Sequence, residues 1–146
     1  MTTLQEAISA LRAAAVTDQA PRRASLAIGE HYHQGDVYIV RVADDHPRSA
    51  LAGTNQVAVG DGVGARHMAV GEGVQVFEPA ADSERNAALF LPGTPEEQCR
   101  ACTGRVVVAP APWRLEHPQH AAGEFDAGTY VVVHQWNDKL RQRTQD

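Results

Sequence analysis

The side chains of this sequence best suited to chemistry are its histidines and its two cysteines. Six of the seven histidines fall in four places: His31-Tyr32-His33, His67, His117-Pro118-Gln119-His120 and His134. Neutral imidazole is the commonest nitrogen ligand of metal ions, and residues two apart on a strand project to one face. His31 and His33 have that spacing, and His67 and His134 could join them across a β-rich core to hold iron, manganese or zinc, as in a cupin-type site. That pattern also calls for a glutamate beyond the second histidine, where this chain has the turn-like Gln34-Gly35-Asp36. The plainer account sets His31 and His33 beside a loop and packs His134 within or next to the last strand.

A second constellation is Cys99-x-x-Cys102 followed by His117-x-x-His120, a Cys2His2 order with ligand types that zinc accepts in a tetrahedron. The two histidines are closer together than zinc fingers place them, Pro118 blocks a helical approach, and a β-like run, Arg105 to Ala109, separates the pairs. Unligated loop residues are the preferred reading. Arg100 between the cysteines would favour a thiolate, but the strand-to-helix setting of thioredoxin-like sites is missing. The glycine-rich Val59 to Arg66 lacks the Gly-Lys-Ser/Thr of a phosphate loop and reads as a hairpin. Ser25, Ser49 and Ser83 have no nucleophile elbow, and Asp44-Asp45 and Glu96-Glu97 read as solvated carboxylates.

Bulk properties narrow the function classes. The chain has 146 residues, the size of one domain, and a net charge of −5 from scattered charges. Phosphate recognition needs a concentrated basic surface, which Arg22-Arg23 and the tail Lys139, Arg141, Arg143 do not supply. The N-terminus has no basic, apolar leader and no run is long enough to span a bilayer. With only Cys99 and Cys102, read as reduced, the expectation is a cytoplasmic protein that contacts neither nucleic acid nor membrane.

These residues must be positioned by mostly β structure. Only Thr3 to Ala15 reads as a helix, with Leu4, Ile8 and Leu11 on one stripe and Thr3 and Glu6 in capping-box form. A polar connector, Val16 to Ser25, follows. Beyond it the period changes to two. The best strands are Asp36 to Val42, Arg105 to Ala109 and Thr129 to Trp136, with weaker ones at 26–28, 56–59, 66–70, 74–77 and 88–91. Irregular links are expected at 43–54, 78–85 and 92–103. Seven or eight short strands without intervening helices predict a mainly β barrel or sandwich with one N-terminal helix. The division is 1–25 for helix and connector, 26–137 for the β domain and 138–146 for a polar tail. The first strong strand should lie near the last, with the helix over an open end or edge.

The strings Gln34-Gly35-Asp36-Val37, Gly64-Ala65-Arg66-His67, His117-Pro118-Gln119-His120-Ala121 and Ala127-Gly128-Thr129-Tyr130 together resemble a group of small uncharacterised bacterial and phage-associated proteins. The resemblance spans about residues 33 to 137. Here one of two middle histidines is replaced, by Ala65-Arg66 before His67, and a Leu-Pro pair is missing before Gly128. The resemblance implies a domain and no activity.

The function expected from these features is a non-enzymatic interaction or accessory subunit without a cofactor, bound to a protein partner or to its own copies. Leu4, Ile8 and Leu11 of the helix, with Trp113 and Trp136, are the candidate contacts. The competing class is a small cupin-like metalloenzyme built on the histidines. A small-ligand-binding barrel is the third.

Overall fold

The computed structural model describes residues 20–59, 66–139 and 142–143. The expected N-terminal helix, with Leu4, Ile8 and Leu11, lies outside the described residues, as does the Gly60-Asp61-Gly62 turn. The strands are β1 (Arg22–Ala24), β2 (His31–Gln34), β3 (Val37–Val42), β4 (Arg48–Leu51), β5 (Gln56–Val59), β6 (Arg66–Val70) and β7 (Gln75–Pro79). Two short helices, α1 (Ser83–Ala87) and α2 (Glu96–Cys102), follow. The chain continues through β8 (Thr103–Ala109), β9 (Trp113–His117), β10 (His120–Phe125), β11 (Gly128–His134), β12 (Trp136–Asn137) and β13 (Gln142–Arg143).

One sheet has the order β1-β10-β9-β6-β5, a second the order β2-β3-β11-β8-β7-β4, and β12 pairs with β13. A single apolar cluster joins the two larger sheets, with Val37, Ile39, Val107, Tyr130 and Val132 from one and Val57, Ala69, Trp113, Leu115 and Phe125 from the other. Of the two architectures left open by the sequence, the sandwich is the one formed; the sheets do not close into a barrel. The Trp113 ring stacks on Phe125 at 4.8 Å and meets Tyr130 edge-on at 5.3 Å. Such pairs add about 0.5–1.5 kcal/mol each beyond burial. The Tyr130 hydroxyl, which would otherwise be stranded here, donates to the Asp126 carbonyl at 2.7 Å.

Burial patterns follow from which faces are covered. In β9, Trp113-Arg114-Leu115-Glu116-His117 alternates buried and exposed, as expected for a sheet with one wet face. In β11, Thr129 to His134 are all buried, because a second cluster lies on the outer side of that sheet. There Val40, Val42, Val106, Val131, Val133 and Cys102 pack together, with Leu89, Phe90 and Trp136 against them. Leu89, Phe90 and Cys102 of the helical segment thus cover part of the outer side of that sheet.

The first strong strand does lie beside the last: β3 pairs antiparallel with β11 from Val37↔His134 to Val42↔Thr129. Segments read as irregular links contain α1 and α2. These helices have 5 and 7 residues, too few for an apolar stripe to repeat, and the Asp82 side chain caps the first by accepting from the Arg85 amide at 3.0 Å. The weak candidates at 26–28 and 88–91 are not strands. Part of the expected connector forms β1, which pairs parallel with β10 while Arg23 bridges to Asp126.

Candidate functional site

Antiparallel pairing of β6 with β9 sets Met68 opposite Glu116, so His67 and His117 are neighbours one step along, on the inner face. Their rings lie 4.3 Å apart, tilted 41°, and His120, paired with His117 across the β9–β10 hairpin, lies 4.7 Å beyond. His67 is 1% and His117 5% exposed, so this is an interior stack of imidazoles and not a surface cluster. The Gln119 backbone amide donates to His117 Nδ1 at 3.0 Å. A nitrogen that accepts cannot carry the proton, so the neutral His117 ring holds it on Nε2.

Gln34 closes this end of the sandwich. Its Nε2 donates to the Leu115 carbonyl at 3.3 Å and the Ala121 carbonyl at 2.8 Å, crossing from β2 to the hairpin that carries His117 and His120. It is buried, as are Asp36 and His134. Just after β11, the Gln135 amide donates to the Asp36 carbonyl at 3.0 Å.

The structure therefore regroups the sequence candidates. His67 of the first set meets His117 and His120 of the second. His31 and His33 point away from them, on the outer face of β2, and both are exposed. His134 faces Gly104, where a methyl group would come within 2.9 Å of its Nε2. Cys99 and Cys102 lie on α2 and are not joined in a disulfide. Cys102 packs into the outer cluster, and Cys99 Sγ lies 3.8 Å from the Thr94 carbonyl. Burial pushes the Cys99 thiol pKa up, the Glu96 carboxylate adds to this, and a backbone hydrogen bond partly offsets it. That direction is opposite to the thiolate that Arg100 was expected to favour. Among the described residues, no three His, Cys, Asp or Glu side chains are placed to hold one metal ion. Trp113 is 2% exposed and belongs to the core, so its surface is spent on Phe125 and Tyr130 and is not presented to a partner. Trp136 is half-buried against the outer cluster.

A feature that sequence reading missed is a groove of about 550 Å³ between α1, α2 and the end of β7. Ala80, Ala81 and Ala87 give it apolar walls, with Asn86, Cys99 and Arg100 also on its lining. Asn86 is held in place by donating to the Ala80 carbonyl at 3.0 Å. Leu91, in the segment between the two helices, is 82% exposed. The only available signal was composition, since small residues flanking short capped turns leave space that larger side chains would fill.

Among the described residues no helix is long and apolar enough to cross a membrane. No curated protein and no solved structure matches the chain. One family model matches residues 33–135, a span that runs from β2 through β11 and includes the groove, the imidazole stack and most of both sheets. The chain belongs to the family described as Domain of unknown function (DUF8820).

Proposed function

We propose that this domain is a non-enzymatic interaction module that takes an apolar side chain of a protein partner into the groove between α1 and α2. The carrying observation is the groove itself, an alanine-walled depression of about 550 Å³ outside the sandwich core, within the size range of ligand-binding clefts. A buried aliphatic or aromatic anchor is the usual centre of a protein interface, and the alanine walls suit one. Binding there leaves both sheets undisturbed. The competing reading, a cupin-like metalloenzyme, would draw on His31, His33, His67 and His134. His31 and His33 lie exposed on the outer face of β2 while His67 is buried between the sheets, so that ligand set is divided and the groove has the better support.

Selection of binding segments from a displayed random-peptide library, followed by titration, tests the proposal. Selected peptides should carry an apolar anchor and lose about tenfold or more in affinity for Ala87→Arg, equal to about 1.4 kcal/mol. Ala87 is exposed at the end of α1, so that variant fills the groove without entering the core. Peptides that bind the wild type and Ala87→Arg equally would refute it.

A further inference from the structure

We propose that His31 and His33 chelate one divalent transition-metal ion of the copper, nickel or zinc class on the outer face of β2. Tyr32 faces inward, its ring edge-on to Phe125 at 5.3 Å and 89°, and Gln34 is anchored inward by its two donated hydrogen bonds to β9 and β10. With those two positions held in the interior, strand alternation sends His31 and His33 to the opposite side together. β2 is one of the two edge strands of its sheet, and both histidines are exposed.

Both imidazoles then meet the same phenol ring. His33 is paired with Tyr38 across the ladder and stacks on it at 4.5 Å and 12°, while His31 touches it edge-on at 5.5 Å and 75°. Alternate residues of a strand are about 7 Å apart, and two imidazoles projecting from them can reach one ion with metal–nitrogen distances of about 2.0–2.1 Å. Contact with Tyr38 restricts both side chains, which lowers the entropy lost on chelation. Two imidazoles select borderline ions, with copper bound more tightly than nickel or zinc, and offer little to magnesium or calcium. The remaining coordination positions are open to water, which makes the site exchangeable and separates it from the buried stack of His67, His117 and His120.

Calorimetric titration of the full chain with CuCl2, NiCl2 and MgCl2 in a non-coordinating buffer tests this directly. The expected result is one Cu2+ per chain, weaker Ni2+ and no Mg2+. His31→Ala and His33→Ala should each weaken Cu2+ binding about tenfold or more, equal to about 1.4 kcal/mol, and His120→Ala should leave it unchanged. Both replaced side chains are exposed, and unchanged circular dichroism verifies that the variants are folded. Binding in the His31→Ala/His33→Ala double variant within tenfold of the wild type would place the ion elsewhere and overturn the proposal. So would loss of binding in His120→Ala.

Discussion

Gln34→Glu is the sharpest test of how the polar end of the sandwich is held together. The substitution preserves shape but replaces the Nε2 donor with an oxygen that would face the Leu115 and Ala121 carbonyls, now its acceptors at 3.3 and 2.8 Å. Two hydrogen bonds are lost at about 1 kcal/mol each. At neutral pH the new carboxylate, at a position only 4% exposed, also incurs a burial cost of a few kcal/mol. A total deficit of about 4 kcal/mol or more follows, a large part of the stability of a domain this size. Desolvation and the facing carbonyls disfavour the charged form, so this carboxyl would titrate above the unfolded value of about 4.3. Between those two values the folded state binds more protons than the unfolded state, so the deficit grows as pH rises and shrinks as pH falls. Once protonated, the carboxyl regains one donor for the nearer carbonyl, that of Ala121. Urea titrations at pH 7, 6 and 5, followed by the fluorescence of Trp113 and Trp136, measure the deficit against wild type at each pH. Gln34→Met, apolar and similar in size, should cost about 2 kcal/mol with no such pH dependence. A Gln34→Glu deficit under 1 kcal/mol at pH 7, or one equally large at pH 5, would refute the reasoning.

Two further perturbations bear on other parts of the fold. His46 is buried, and its pKa is lowered from 6.5, chiefly by desolvation and then by Arg85, with Asp45 and Asp82 opposing. Its contribution is intact above pH 6.5 and is lost as pH falls below it, because the unfolded chain takes up a proton that the folded one resists; the stability–pH curve of His46→Asn should therefore be flatter than wild type in that range, and equal slopes would contradict this. Gly104 sits where β8 and β11 slip register, and a methyl group there would come within 2.7 Å of the Val132 carbonyl. Gly104→Ala should cost about 1–3 kcal/mol in the same urea assay.

Much of the fold was legible where one residue type dominates the physics. Thr129-Tyr130-Val131-Val132-Val133 is β-branched and aromatic along its whole length, and β11 proves to be the central strand, covered on both faces. β5 and β6 were also located, at 56–59 and 66–70. β9 was missed although its apolar and polar residues alternate, because Pro110, Pro112 and Pro118 flank it and signal loop. β2 was missed because His31-Tyr32-His33-Gln34 has no aliphatic residue. Its inward side chains are a tyrosine and a glutamine whose contacts, the Phe125 ring and the Leu115 and Ala121 carbonyls, lie far along the chain. The same limit hid α1, held by its Asp82 cap, and α2, held by Cys102 in the outer cluster, neither by a periodic stripe.

The candidate site was legible as an inventory but not as a grouping, and strand pairing explains why. Ligand motifs are read from short spacings along the chain, such as His117-x-x-His120, and that pair did stay together because a hairpin joins it. The third member, His67, arrived through the β6–β9 ladder, whose register no local spacing encodes. His31 and His33 share one face of β2 by strand alternation, although no strand was read over 31–34 and a loop was the plainer account there. Gln34, next in the chain after His33, fixes that face: its amide donates to the Leu115 and Ala121 carbonyls, so it stays inward with Tyr32 while both imidazoles stay outward, away from His67. A bond of that kind belongs to the tertiary packing of β2 against β9 and β10, and no short spacing along the chain encodes it.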